Sequence, residues 1–367
     1  MVGGQAMPNP HRTDRRSRRL AALLDELAVA AGQAAAILGA PVARRDGAAL
    51  AGAAMRIEAL KLPLGAALRR AEAAGAARNA WAASRRAGAA DAPEAVARLT
   101  LRRWGETMAA LRAVCAGART PLAVETDPAD PRHAQGRVID EAYNALHFAL
   151  RAEVQADPAV AAGAFPDVPL GASLFAGHAH AAWRIMAALG RSGSARLLDV
   201  GAGAGSKVAI AARIFAGADG LEIDPGYAAA ARRLLGGRLL GNARCIKADA
   251  LRFDGYHRYD VIYLYLPIRD RQRMEALEER IVAAARPATV LIAPYAGFHA
   301  RAAELGVQPL AGALAVTGIP AAEAAALARD AERTGPLLPG PERLGEDRGG
   351  GVLAPLRRAL RLNGFLE

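Results

Sequence analysis

Apolar residues recur at three- and four-residue steps through the first third of the chain, a helical period. They predict amphipathic helices over 18–38, 49–62, 64–87 and 93–116. In the last of these, Val96, Leu99, Trp104, Met108, Leu111 and Cys115 form the stripe, and Pro93 stands at the helix start. Further helices are expected over 138–155, carrying Tyr143, His147 and Phe148, and over 177–189. From Arg196 the pattern changes to short apolar runs separated by helical ones. Strands are expected to end at Val200, over 220–224, 242–250, 259–268 and 288–294, with a hairpin over 307–317. Helices are expected over 208–215, 226–235 and 270–285 between them. Strand and helix in alternation predict one doubly wound, mostly parallel α/β sheet preceded by an α-helical domain.

Turn chemistry sets the divisions. Residues 1–17 read as a disordered basic segment, 18–120 as the helical domain, and 121–190 as a linker with helices leading into the sheet. Residues 191–318 carry the sheet, and 319–367 form a tail with a helix at 321–333, a Gly/Pro/charge-rich loop and a short basic helix. Thr126 to Pro131 is turn-forming, and 163–176 reads as loop.

The densest chemical signal is Leu197-Leu198-Asp199-Val200-Gly201-Ala202-Gly203-Ala204-Gly205-Ser206-Lys207. A strand running into alternating glycines and then a helix lets the backbone turn tightly and approach a nucleotide-like ligand. A dinucleotide fingerprint needs a third glycine at position 206 or 208, depending on the register, and Ser206 and Val208 stand there. About twenty residues on, Glu222 and Asp224 close the second strand, where a carboxylate can accept hydrogen bonds from vicinal ribose hydroxyls. Either acid can instead cap the helix that follows. Asp249 closes the third strand, and as an isolated residue it reads as a turn-former.

The series Asp-x-Gly-x-Gly-x-Gly, acid, Asp resembles the motifs of the class I (Rossmann-like, seven-strand) S-adenosylmethionine-dependent methyltransferases over about 120 residues. The resemblance implies S-adenosylmethionine as cofactor. Asp199, Gly201, Ala202, Gly203, Gly205, Glu222, Ile223, Asp249 and Ala250 would bind it, with Glu222 preferred over Asp224 for the ribose and Asp249 on the adenine amine. It also implies that the end of the fourth strand faces the methyl donor and acceptor, where Tyr263 and Tyr265 are the candidate catalytic residues. Tyr295 and His299, at the fifth strand's exit, are lesser candidates for a base. The Asn/Asp-Pro-Pro-aromatic tetrad of methylases acting on exocyclic base amines or glutamine is absent. Tyr265-Leu266-Pro267 is similar to the aromatic- or leucine-Pro step of some seven-strand protein-lysine methyltransferases. Protein amine, RNA and small-molecule acceptors all stay open. Two alternatives remain: a non-catalytic module that binds the same ligand, and an NAD-dependent oxidoreductase, which Ser206 and Val208 disfavour.

Composition adds a charge asymmetry. Residues 1–120 hold 19 Lys+Arg against 9 Asp+Glu, and the remainder 28 against 27. The basic helical half is therefore expected to present a solvated face, bind an acidic partner or mediate self-association. Trp81 and Trp104 are its sole tryptophans, so base stacking is poorly served. Cys115 and Cys245 lie far apart and are expected to be buried or incidental, in a reducing cytoplasmic setting. No Cys/His cluster suggests a metal, and His178 and His180 sit two apart on a helix, poorly placed to share a ligand. The arginines at 15–19 before an Ala/Leu run mimic a secretion signal. Asp25 and Glu26 interrupt that run, so an amphipathic helix is expected and no membrane span.

Overall fold

A computed structural model describes residues 10–79, 92–122, 131–152, 154–165, 171–237, 240–338 and 350–367. In chain order the elements are α1 (Pro10–Gly39), α2 (Gly47–Asn79), α3 (Pro93–Cys115), α4 (Pro131–Ala152), α5 (Pro158–Gly163) and α6 (Ala172–Ala188). Then follow β1 (Arg196–Val200), α7 (Ser206–Ala211), β2 (Gly217–Glu222), α8 (Pro225–Leu235), β3 (Ala243–Lys247), β4 (Val261–Leu264) and α9 (Arg271–Ala284). The chain closes with β5 (Val290–Ile292), α10 (Ala296–Ala300), α11 (Ala302–Leu305), β6 (Gln308–Ala311), β7 (Leu314–Val316), α12 (Ala321–Glu332) and α13 (Ala354–Leu362). They form two compact units, Met1–Ala118 with Glu342–Glu367, and Arg119–Pro341.

The first unit is helical. Leu20, Leu24, Leu27, Ala31, Ala34 and Leu38 line one stripe of α1 and meet Leu50, Ala53, Ile57, Leu60, Leu64 and Leu68 of α2. Helix α2 replaces the two helices expected on either side of Pro63. Pro63 removes one backbone bond, but the apolar stripe runs through it in register, and tertiary burial outweighs that loss. The segment Ser17–Gly39 is long and apolar enough by length and composition to cross a membrane; in this unit its stripe is spent on the bundle core. Helix α1 begins at Pro10, within the stretch expected to be disordered. On α3, Trp104, Met108 and Leu111 are buried as the period requires, but Cys115 is exposed because the stripe ends one turn earlier. Trp81 lies outside the described residues. The tail is not a separate extension: Leu353, Leu356, Leu360 and Leu366 complete this same core.

The second unit holds a seven-stranded sheet in the order β3-β2-β1-β4-β5-β7-β6. Strands β1 to β5 are parallel, and β7 runs antiparallel between β5 and β6. This seven-strand order is that of the class I methyltransferase fold. Leu198, Val200, Ile262, Leu264 and Leu291 face α9 through Met274, Leu277 and Ile281. The alternate residues face the other way, as the two-residue period of a strand demands; Tyr263 there meets Phe175 of α6 edge-on at 5.0 Å. Several expected bounds move. The first crossover helix starts at Ser206 and ends at Ala211, not Phe215. The second strand starts at Gly217, and the fourth stops at Leu264, so Tyr265 lies beyond it. Helix α4 begins within the expected linker, and α5 with the first turn of α6 takes up part of the expected 163–176 loop.

Helix α4 departs from the usual pattern. Its inward side carries Tyr143 and His147 buried, with Asp140, Asn144 and Arg151 partly so. Val138, Ile139, Ala142, Ala145 and Leu146 face out. Its middle is anchored by Asp140, which accepts hydrogen bonds from the Ser173 backbone N–H and hydroxyl, both at 2.7 Å. Beyond its end, Asp157 N–H donates to Asp224 at 2.7 Å.

Candidate functional site at the carboxyl edge of the sheet

The sheet reverses its order of winding between β1 and β4, and in such sheets the ligand crevice lies beyond the strand ends at that switch. The turn after β1 is built from Gly201 (φ +80°), Gly203 (φ +54°) and Gly205 (φ +85°), all in the left-handed region open to glycine. The turn is held on β2, with the Gly201 and Ala202 N–H groups both donating to Leu221 O at 2.8 and 3.0 Å. A side chain at Gly201 would sit 2.6 Å from Pro267 Cβ. Pro267 is placed there by Leu266, a non-glycine residue at φ +48°. Strain of this kind costs roughly 1–3 kcal/mol and collects at functional sites. Replacing Gly201 with alanine adds a second strained φ and a steric overlap. The expected loss is at least ~2 kcal/mol of stability in the sheet unit, read from urea unfolding.

Gly220 on β2 was not expected to matter. A Cβ there would lie 2.7 Å from Ala202 Cβ and 2.9 Å from Val208 Cγ2, so the bare strand lets the turn sit down on it. Glycine within a strand is the sequence signal for such close approach.

Glu222 and Asp224 separate cleanly in role. Asp224 caps α8: Oδ1 accepts from Gly226 and Tyr227 N–H at 2.8 and 3.0 Å, while Oδ2 takes the Asp157 N–H. Glu222 is 8% exposed and bridges the glycine turn to the β2 exit. Its Oε2 accepts from Gly203 N–H and its Oε1 from Asp224 N–H, both at 2.8 Å. Burial pushes its carboxyl above the ordinary range, against the pull of the backbone donors at Asp224, Gly203 and Ile223. The neighbouring Ile223 is 40% exposed, an apolar surface at the sheet edge beside a carboxylate. Asp249 Oδ1 accepts from Leu251 N–H at 2.9 Å, the turn-forming role, and Oδ2 lies 4.0 Å from the exposed Arg252. Ala250 O accepts from the buried Tyr256 hydroxyl at 2.8 Å, which fixes that turn.

On the inner side of the turn, Asp199 and Tyr263 are register partners on adjacent strands, each 1% exposed. The Tyr263 hydroxyl has no hydrogen-bond partner among the described residues. Burial, with Asp199, Tyr143 and Tyr265 beside it, drives its acidity far down, so the phenol keeps its proton and remains able to donate a hydrogen bond. Tyr265 is 37% exposed and stands edge-on to Tyr295 at 6.5 Å. Tyr295 donates to the buried Glu278 at 2.8 Å, and His299 Nε2 lies 2.8 Å from Ala293 O. Both are engaged in holding α10 and the β5 exit and offer no free base. His178 and His180 sit on α6 with side chains partly buried; burial, with Arg184 nearby, takes His180 down to about 4. Sequence reasoning gave no role to Ser206 and Lys207, which meet Tyr143 and Tyr263. The Tyr143 and Ser206 hydroxyls are 2.7 Å apart, and Lys207 Nζ lies 5.9 Å from the centre of the Tyr263 ring. Among the described residues no group of metal-ligating side chains is assembled.

The residues present suit a nucleoside bearing a charged tail: a side-chain-free cradle, a buried carboxylate at the β2 exit, an exposed apolar side chain beside it and a buried phenol lacking an acceptor.

No family model and no curated protein matches the chain. Among solved structures, CalS10, an amino pentose methyltransferase from Micromonospora echinaspora solved with SAM bound, is 31% identical over 32% of this chain and 48% of its own, with a TM-score of 0.27. An RNA methyltransferase from Salinibacter ruber in complex with S-adenosyl-L-homocysteine is 23% identical over 34% of this chain and 76% of its own, with a TM-score of 0.28. The sugar N-methyltransferase KedS8 from Streptoalloteichus is 24% identical over 33% of this chain and 48% of its own, with a TM-score of 0.26. The chain spans about half the length of the first of these.

Proposed function

We propose that the sheet unit binds S-adenosylmethionine across the β1–β4 switch and transfers its methyl group to a nucleophilic acceptor. The observation that carries this reading is Glu222, a buried carboxylate tied at once to the glycine turn and to the β2 exit. A ribose diol laid over the turn would donate to its remaining lone pairs. Ile223 would lie against the adenine, and Asp249 Oδ2 with the Ala250 backbone would meet the adenine edge. Gly201, Ala202, Gly203 and Gly205 would form the floor, and Asp199 would face the ammonium of the amino-acid end. A third glycine for dinucleotide binding is absent at Ser206 and Val208, and β7 is antiparallel, which favours this reading over a nicotinamide cofactor.

The cofactor supplies an electrophilic methyl on a sulfonium. The protein's part is then alignment, which can itself supply several kcal/mol. Tyr263, held protonated, would orient through its hydroxyl. Tyr265, beyond the strand end, would border the acceptor. Among the described residues no side chain in the site is set up as a strong base, which favours an acceptor that reaches the site already deprotonated or loses its proton to water. Protein amine, RNA and small-molecule acceptors all meet that condition. A non-catalytic module with the same pocket is the second reading; turnover of labelled methyl groups separates the two.

Calorimetric titration with S-adenosylmethionine, S-adenosylhomocysteine and NAD tests the cofactor. Glu222→Gln removes a charge-assisted bond worth about 1.5–3 kcal/mol, so affinity for the first two should fall roughly 10- to 100-fold. The diol donates to the ionised carboxylate. Affinity should therefore rise with pH through the elevated Glu222 pKa and level off above it, and the glutamine variant should lack this rise. Binding of NAD in place of the other two would sink the proposal.

A further inference from the structure

The helical unit carries most of the chain's excess positive charge, and its register gathers part of that charge into one band. Helices α1 and α2 run antiparallel, with Gln33 of α1 accepting from Arg56 of α2 at 2.7 Å. Arg19 lies fourteen residues before Gln33, and Arg70 lies fourteen after Arg56. Fourteen residues is close to four helical turns, so both return to that seam at one level. Helices α2 and α3 are registered by Glu58 with Arg112 at 3.3 Å and by Glu72 with Arg98 at 2.7 Å. Arg69 stands one turn before Glu72 and Arg102 one turn after Arg98, which sets them level at the second seam, beside the first pair. Arg19, Arg69, Arg70 and Arg102 are all exposed and have no carboxylate partner among the described residues. The nearby acids are engaged. Glu72 is held by Arg98, Glu106 by Arg103 and Arg357, and Glu94 sits in the first turn of α3, where the helix dipole favours it. The first turns of α1 and the last of α2 add Arg12, Arg15, Arg16 and Arg78 to this end, against Asp14.

We propose that this band is a docking surface for the phosphate backbone of a nucleic acid. It does not depend on the cofactor reading above. Like charges gathered without acids cost the unit stability through self-repulsion, and a polyanion cancels that cost. Guanidinium forks match phosphate oxygens two at a time, and the band is built from arginine alone. Axes of packed helices lie about 8–10 Å apart, so a band across three of them spans roughly 20 Å. That is the length of several phosphates on a duplex strand, at ~3.4 Å of axis each. Trp104 is buried and Phe365 packs on the core, so among the described residues the unit offers a partner no aromatic side chain. Bases are therefore not stacked, and an acidic peptide finds no aromatic anchor. Contact with the backbone is what the surface supports, so binding is indifferent to base sequence and steep in salt.

The test is fluorescence anisotropy of a labelled RNA duplex and the matching DNA duplex, each of about 20 base pairs, titrated with the full chain between about 50 and 200 mM salt. The wild type should bind, with log affinity falling against log salt at a slope of about −4 or steeper. Arg19→Gln, Arg69→Gln, Arg70→Gln and Arg102→Gln combined in one chain should lose roughly 100-fold in affinity at the low-salt end and flatten the slope by about 3–4. A control with the same loss of charge, Arg233→Gln, Arg273→Gln, Arg329→Gln and Arg333→Gln, all exposed on the sheet unit, should stay within about threefold. The band variant removes no ion pair among the described residues, so circular dichroism should show wild-type helicity, and the wild-type salt slope tests the proposal without any variant. Tighter binding of one duplex identifies the source of the backbone and supports the proposal. A wild-type slope near zero, or equal losses in the two variants, overturns it. Polyglutamate bound as tightly as either duplex at the same charge also overturns it, in favour of an acidic protein.

Discussion

Removing residues 350–367 is expected to unfold the helical unit while leaving cofactor binding in place. Leu353, Leu356 and Leu360 are fully buried there and Leu366 is 4% exposed. Each such side chain contributes about 1.5–3 kcal/mol on burial, so the four together reach roughly 6–12 kcal/mol. A domain of this size is stable by only about 5–15 kcal/mol. Polar ties go with them. Arg357 donates to Thr107 Oγ1 at 2.9 Å and to Glu106 at 3.2 Å, and Arg45 joins Asn363 to the Leu38 and Ala40 carbonyls at the end of α1. Gly351, at φ +56°, comes so close to Thr100 that no Cβ fits between them. Circular dichroism of the truncated chain should show loss of helix well beyond the helical residues removed, with S-adenosylhomocysteine affinity within about twofold of the full chain. A truncated chain that keeps the helicity of α1 to α3 would contradict the shared core.

The second large effect is expected at Arg184. Its guanidinium is 3% exposed within α6 and donates to five oxygens. Nη1 bonds Pro121 O at 2.7 Å. Nη2 bonds Thr120 O, Ala331 O and Thr334 O at 2.7, 3.0 and 3.2 Å, and Nε reaches Thr334 Oγ1 at 3.2 Å. One side chain thereby ties the helix before β1 to the segment leading out of residue 119 and to the end of α12. Arg184→Met fills a similar volume but leaves carbonyls without donors in a dry place. The cost is expected at about 3–5 kcal/mol. Lysine restores the charge with three donors in a different geometry, so Arg184→Lys should recover only part of it. Pulse proteolysis across a urea series, following the fragment that carries α6 and α12, reads the shift in midpoint. An unchanged midpoint in the methionine variant would show that the five contacts contribute nothing net.

Much of the second unit was legible because its signals are local. Strand, glycine turn, helix, acid, strand and Asp follow in an order that one chirality rule converts into a single sheet. The glycines at 201, 203 and 205 declare their own φ angles, since other residues rarely adopt them. The helical period of 18–38 and 93–116 likewise marked which side is buried, because an apolar stripe next to a core leaves little choice.

Three matters belonged to the tertiary structure alone. Glu222 and Asp224 are chemically alike and two residues apart. Only the position of α8 and the approach of Asp157 N–H turn Asp224 into a cap and leave Glu222 against the glycine turn. The split helix expected at Pro63 became one, since a single proline's cost is local and the stripe packed against α1 is long. The stripes of α4 were readable from its sequence, but not the side that faces inward. Burying the apolar stripe is the default, and the anchoring of Asp140 on Ser173 and Tyr143 on Ser206 overrides it. Periodicity fixes which residues share a face. Long-range hydrogen bonds and close packing, which join residues 33 to 67 positions apart in these cases, fix which face meets the site.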